Sequence, residues 1–253
     1  MQPCERFTNR VEYYVKYRPR YPAALLKFCV EELGLAREHV IADIGSGTGF
    51  LSELFLEAGN KVIGVEPNMA MRAAAEETLG SNPLFRSVDG SAEATTLPDN
   101  SVDAIAAGQA FHWFEPMQAR KEFRRIAKPR RLALLVWNVR GADSTPFMRK
   151  YEEILQNAAG DYAQVRHREY DTEGLRLVLG EDTQIRHFRN LQSFDLDGLI
   201  GRLLSSSYAP LPDHSNWDDV RSSLEALFHE HQTGGRVEFE YDTQLFYSRL
   251  PGG

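Results

Sequence analysis

Cysteine is scarce, with only Cys4 and Cys29 in 253 residues. Two thiols build neither a disulfide framework nor a zinc site, so no metal centre is expected, and such usage fits a reducing cytosol. Basic residues are in deficit: 29 Lys and Arg face 36 Asp and Glu, a net charge of −7. That balance lacks the electrostatic footprint of a nucleic-acid binder, so no nucleic-acid partner is expected. Long apolar runs are missing too. The longest, residues 132–137 and the polar-interrupted 102–114, are too short or too polar to cross about 30 Å of bilayer. Residues 1–10 hold Glu5, Arg6 and Arg10 and no apolar stretch of a secretory signal. A cytoplasmic location and no membrane partner are therefore expected. Repeats and low-complexity segments are absent. What the chain does have is apolar content, 42%, which is too much for a disordered chain and enough for a sizeable core.

Strand-like and helix-like runs alternate through the first 140 residues. Pro22 opens a helical pattern with Leu25, Leu26, Cys29, Val30 and Leu33 at helical spacing. Strands are predicted over 39–44, 61–65, 84–88, 102–107 and 132–137, and helices over 50–58, 69–79 and 115–126. Asn68 is a good N-cap for the third of these four helices, and Gly59 and Gly80 are natural stops. Apolar strands alternating with helices imply a parallel sheet covered on both faces. Beyond Asn138 the pattern changes. Helices are predicted over 146–158, 196–204 and 217–231, strands over 184–194 and 236–247, and a mixed, charged stretch over 161–180. The expected fold is α/β: a doubly wound, Rossmann-like, mostly parallel seven-stranded sheet, with an antiparallel last strand and a helical lid. We read the chain as one domain: a flap and helix over 1–38, a cofactor-binding core over 39–138, a variable lid with the sixth strand over 139–232, and the last strand over 233–253.

The sharpest local feature is Ala42-Asp43-Ile44-Gly45-Ser46-Gly47-Thr48-Gly49-Phe50, a strand running through a glycine turn into a helix. Glycines let the backbone turn tightly and approach a ligand, and the N–H groups at the helix start favour an anionic group. Glu66 ends the second strand, where a carboxylate can accept hydrogen bonds from both ribose hydroxyls. Two cofactor classes fit this layout. Dinucleotides favour G-x-G-x-x-G. Here the spacing is G-x-G-x-G, and Asp43 lies beside the turn. That carboxylate would repel a pyrophosphate but is tolerable beside the amino group and sulfonium of S-adenosylmethionine (SAM).

On these residues the chain resembles the class I SAM-dependent methyltransferases, in particular the small-molecule group that includes the aconitate methyltransferases. Residues 43–49 look like that family's first motif and Val65-Glu66-Pro67-Asn68-Met69 like its second. Gly90-Ser91-Ala92-Glu93 with Leu97-Pro98 looks like its adenine-binding segment. Gly108-Gln109-Ala110-Phe111-His112-Trp113-Phe114 is similar to the segment after strand four, and Lys128-Pro129 to the turn before strand five. Arg130 and Arg131 stand where the family commonly has paired glycines. The N-terminal Tyr17-Arg18-Pro19-Arg20-Tyr21-Pro22 also resembles this subgroup. The resemblance implies SAM as cofactor, with Asp43, Gly45, Ser46, Gly47, Thr48 and Gly49 around its methionine part. It implies Glu66 and Pro67 at the ribose, Met69 on the adenine, Ser91, Ala92 and Glu93 at the adenine edge, and Gln109 and Ala110 near the sulfonium.

Methyl transfer chiefly needs the nucleophile aligned behind the methyl group, and a base only where the nucleophile is protonated. His112, just past the fourth strand, is the candidate base, and a tyrosine of the N-terminal segment, Tyr17, the candidate hydroxyl at the active centre. Tyr13, Arg18, Trp113 and Tyr208 are candidate substrate contacts. Asn82-Pro83-Leu84-Phe85 and Pro3-Cys4 stand at the wrong places for amino- or cytosine-methylating chemistry on nucleic acid. The acceptor is thus expected to be a small molecule, taking the methyl on a carboxylate or hydroxyl oxygen. An NAD(P)-dependent oxidoreductase and a non-catalytic SAM-binding regulator are the alternatives. The oligomeric state is not encoded in any of these features.

Overall fold

A computed structural model describes residues 11–158, 172–206 and 208–250. Pro3, Cys4, most of the charged stretch 161–180 and Ser207 lie outside the described residues. Seven strands form one sheet: β1 (Val40–Ile44), β2 (Lys61–Val65), β3 (Phe85–Val88), β4 (Val102–Gly108), β5 (Ala127–Arg140), β6 (Gln184–Phe194) and β7 (Val237–Arg249). Their spatial order is β3-β2-β1-β4-β5-β7-β6. The pairs among β1 to β5 are parallel, whereas β7 pairs antiparallel with both β5 and β6. This is the expected doubly wound sheet with one reversed strand. Strand order turns back between β1 and β4, and ligands of such sheets bind outside the carboxyl ends at that point.

Helices α1 (Val11–Tyr17), α2 (Ala23–Glu31), α3 (Phe50–Glu57), α4 (Met69–Leu79), α5 (Pro116–Ile126) and α6 (Pro146–Ala158) precede α7 (Thr172–Leu179), α8 (Leu196–Leu204) and α9 (Trp217–His231). The apolar β5 is buried on both faces. Ala133, Leu135 and Trp137 pack toward Phe123 and Ile126 of α5, while Leu132, Leu134 and Val136 share a core with Leu25 and Cys29 of α2 and Phe55 of α3. Helix starts follow the sequence. Asn68 accepts from Ala70 and Met71 N–H, Glu115 caps α5 ahead of Pro116, and Asp195 caps α8.

Two expectations are corrected. Lys128-Pro129 is not a turn before β5 but lies within it. Val102 pairs with Ala127 and Ala104 with Leu132, so five steps on β5 match two on β4 and three residues are absorbed in a bulge. A bulge tolerates the missing N–H of Pro129, and Asp103 gathers it with Lys128 at 2.9 Å and Arg131 at 3.4 Å. The other correction concerns the segment expected to form a lid. Within it α7, unforeseen in the charged stretch, buries Leu175, Val178 and Leu179 in the α5 face of the sheet. The cap proper is α6, α8 and α9 with the first half of β7. Its core holds Phe147, Tyr151, Leu203, Leu224, Phe239 and Tyr241, separate from the two sheet faces. No helix among the described residues is long and apolar enough to cross a membrane.

Candidate functional site

The glycine turn hangs on the end of β2. Gly45 and Ser46 N–H both donate to the Val65 carbonyl, at 2.8 and 3.2 Å. Gly45, Gly47 and Gly49 all have positive φ, at 66°, 56° and 89°, which L side chains rarely adopt. A Cβ on Gly45 would lie 2.6 Å from the Ala110 methyl, so Gly45 lets β4's exit loop close on the turn. A Cβ on Gly47 would meet nothing within 4 Å. The turn therefore has open space over its middle glycine. Glu66 straps this arrangement. Its Oε2 accepts from Gly47 N–H at 2.9 Å and its Oε1 from Asn68 N–H at 2.8 Å. Burial raises the Glu66 pKa, against the lowering effect of those two N–H bonds. Each oxygen keeps a lone pair for a further donor.

Asp43 is fully buried beneath the turn. Its Oδ2 accepts from Ser52 Oγ at 2.7 Å, and Oδ1 has no hydrogen-bond partner among the described residues. Burial pushes its carboxyl up to about 7, against the Ser52 hydrogen bonds. The folded-state pKa thus exceeds the unfolded value of 3.8. Such a group's stabilising contribution is complete below the unfolded value and is lost as pH rises through the folded one. Unliganded protein is expected to lose on the order of a few kcal/mol between about pH 4 and about pH 8 from this residue. Asp43→Asn should flatten that slope, read from urea-unfolding midpoints at both ends of the window.

Around the crevice, Met69 stands at the start of α4 and is 75% exposed, an uncovered apolar side chain three residues past Glu66 rather than a core methionine. Ser91 and Ala94 exchange backbone hydrogen bonds in a tight loop that buries Ala92. Glu93 is directed elsewhere: its carboxylate accepts from Glu115 N–H at 2.8 Å and tethers the start of α5. Gln109 has φ of 56° and donates its side-chain amide to the Asn138 carbonyl at 3.1 Å. This ties the exit of β4 to the end of β5. Thr48 is buried in the turn, and Pro67 stands between Glu66 and Asn68, whose N–H the Glu66 carboxylate accepts. His112 lies on the short 3-10 turn Phe111–Trp113, its ring 4.7 Å from that of the half-exposed Trp113.

The N-terminal segment packs over this region through several of its side chains. The Tyr17 ring lies on Gly201 of α8, where a Cβ would come within 2.2 Å of it, and Tyr13 stacks on Tyr17. Tyr14 is the ring that stacks on Phe50 at the start of α3, and its phenol feels Arg18, Glu66 and Arg202. The Tyr21 hydroxyl presses on Gly108 at the end of β4 and feels the Asp43 charge. Arg18 donates Nε and Nη2 to the Ser205 carbonyl, at 3.2 and 3.1 Å, so it spans from α1 to the end of α8. Tyr208 receives a hydrogen bond from Arg140 at 3.0 Å. Sequence reasoning missed Arg202, 3% exposed in the last turn of α8. The available signal was a lone arginine inside Gly198-Leu199-Ile200-Gly201-Arg202-Leu203-Leu204, a run otherwise without charge.

Residues 42–135 match the family described as a methyltransferase domain. An uncharacterized methyltransferase of Schizosaccharomyces pombe is 32% identical over 158 residues, covering 61% of this chain and 60% of that one. An uncharacterized methyltransferase of Mycobacterium tuberculosis is 33% identical over 153 residues, covering 59% and 58%. The chain thus spans less than two thirds of these relatives' own length. A methyltransferase candidate of Dictyostelium discoideum is 26% identical over 235 residues, covering 90% and 87%. Among solved structures, a type II methyltransferase candidate of Anaeromyxobacter dehalogenans superimposes with a TM-score of 0.67 at 22% identity, covering 94% of this chain and all of that one. From β1 to the middle of β5, then, this chain is similar to a methyltransferase domain, within a Rossmann-like sheet of the form that solved structure shares.

Proposed function

We propose that the chain is a class I SAM-dependent methyltransferase that methylates a small-molecule acceptor at a carboxylate or hydroxyl oxygen. One observation carries the reading: the Glu66 carboxylate, buried at the tip of β2, faces a glycine turn with open space above Gly47. A nucleoside sugar is held by such a carboxylate through charge-assisted bonds. The free Asp43 Oδ1 below the turn suits a ligand with a cationic amino group. It argues against a pyrophosphate, and so against an NAD(P) enzyme. The exposed Met69 offers an apolar surface to a base. These residues fit SAM, which supplies a methyl group already activated by its sulfonium.

The protein's share of the chemistry is then alignment and exclusion of water, worth up to ~7–11 kcal/mol of barrier. Gln109 and Ala110, fixed by the Asn138 carbonyl and by Gly45, hold the exit of β4 against the turn. His112, two residues on, is our candidate to take a proton from a hydroxyl acceptor; a carboxylate acceptor needs none. His112→Gln should therefore lower kcat with a hydroxyl acceptor, leave it unchanged with a carboxylate one, and leave binding of S-adenosylhomocysteine intact. The reading itself is tested by calorimetry with S-adenosylhomocysteine and by turnover of SAM with a metabolite extract. Absence of binding overturns it, and binding without turnover favours the regulatory alternative. The cap and the net negative charge support a small acceptor over nucleic acid.

A further inference from the structure

Inside the cap, three guanidinium groups approach one another. Arg202, buried at 3% exposure, donates Nε to the Tyr241 hydroxyl at 2.7 Å and Nη1 to Ser206 Oγ at 3.0 Å and Ser205 Oγ at 3.3 Å. Arg18, half-buried, hydrogen-bonds the Ser205 carbonyl next to it. Arg140 reaches Tyr208 and is bridged to Glu152 at 2.6 Å. Among the described residues no carboxylate lies in an ion pair with Arg18 or Arg202. Among the described residues neither Nη2 of Arg202 nor Nη1 of Arg18 has an acceptor. What faces them is phenol and hydroxyl oxygen. Burial, and then the neighbouring Arg202, lower the pKa of Arg18. Burial opposes ionisation of Tyr208, but Arg140, Arg202 and Arg18 outweigh it and hold that phenol below the usual tyrosine range.

Two like charges set together and withdrawn from much of the solvent, with no carboxylate paired to them among the described residues, are costly unless something anionic completes the site. The fold maintains the cost deliberately: Gly201 lets the Tyr17 ring lie flat on α8, and the Tyr241 hydroxyl, which donates to Gln192 at 2.9 Å, offers its oxygen to Arg202. Tyr14 links this cluster to the glycine turn, since its ring stacks on Phe50 at the start of α3 and its phenol feels Arg18, Glu66 and Arg202. Arg18 is half-buried and Arg202 lies deeper.

We propose that Arg18 and Arg202 form a seat for a carboxylate of the acceptor, which anchors the acceptor and is not the group methylated. The planar carboxylate suits guanidinium donors, each offering a free N–H. A carboxylate held by two guanidinium groups has its lone pairs engaged and is a poor nucleophile. The methyl-accepting oxygen is therefore a second one, on the same acidic molecule, facing the glycine turn. The identity of the occupant as acceptor rests on the methyl-transfer reading, whereas the anion seat itself does not.

The test compares benzoate with its neutral isostere benzamide by calorimetry, on the wild-type protein with and without S-adenosylhomocysteine. Saturable benzoate binding is expected, with benzamide at least tenfold weaker. Arg202→Gln and Arg18→Gln should each weaken benzoate at least tenfold, and Arg202→Lys should keep part of it. Unchanged S-adenosylhomocysteine affinity in each variant reports an intact fold, and Arg18→Gln serves alone if Arg202→Gln does not fold. Benzamide binding equal to benzoate, or benzoate binding indifferent to both arginines, overturns the seat. Inorganic phosphate binding where benzoate does not overturns the choice of carboxylate. S-adenosylhomocysteine binding without benzoate binding leaves the methyltransferase reading standing and the seat fallen; benzoate binding without the nucleoside has the opposite meaning.

Discussion

Glu66→Ala is expected to weaken S-adenosylhomocysteine binding about 30- to 140-fold, the equivalent of ~2–3 kcal/mol. Two losses combine. The ribose loses a charge-assisted acceptor, and Gly47 N–H loses the oxygen that holds it at 2.9 Å, so the turn is no longer strapped to β2. Because Asn68 N–H also gives up its bond to Oε1, the entry of α4 is loosened, though Asn68 still caps that helix through Ala70 and Met71. The fold should survive with a modestly lower melting temperature. Calorimetry is the measurement, and an affinity within about twofold of wild type would remove the nucleoside assignment.

The second large effect comes from pairing two glycine substitutions. Gly45→Ala puts a methyl 2.6 Å from the Ala110 methyl at φ of 66°, a clash added to backbone strain. It should cost about 3 kcal/mol of stability. Gly47→Ala meets no atom within 4 Å. Its cost to the unliganded fold should be only the strain of an L residue at positive φ, about 1 kcal/mol. Yet that methyl would occupy the space the proposed nucleoside needs, so cofactor affinity should fall by about a hundredfold or more. A large loss of affinity with a small loss of stability separates a ligand-facing glycine from a merely structural one. Equal affinity in Gly47→Ala and wild type would mean that the open space is not the cofactor's.

Much of the fold could be read from the sequence because local signals and burial agree there. β2, β6, α4, α6, α8 and α9 have the predicted bounds, each defined by apolar spacing and clear punctuation such as Asn68, Gly59 and Pro146. The turn with Asp43 and Glu66 was legible because closely spaced glycines between a strand and a helix have few other uses. The bulge in β5 was not, because Lys128-Pro129 reads locally as a turn and only pairing with β4 and the pull of Asp103 keep it extended. Helix α7 was missed because its charged residues hide a short apolar stripe, Leu175, Val178 and Leu179, whose meaning depends on α5 lying beneath it. The arginine cluster escaped for a deeper reason. Arginine is ordinarily solvated, and burial of Arg18 and Arg202 together is a product of α1 meeting α8, about 180 residues apart in sequence.

The position of β7 also has a consequence in time. It is the last of the described strands in sequence, yet it lies between β5 and β6. During synthesis on a ribosome β5 must wait with a bare edge, and β6 has no partner at all, until the stretch Val237–Arg249 emerges. Exposed strand edges invite pairing between nascent chains. The order of synthesis thus leaves that edge open to such pairing until residues 237–249 follow.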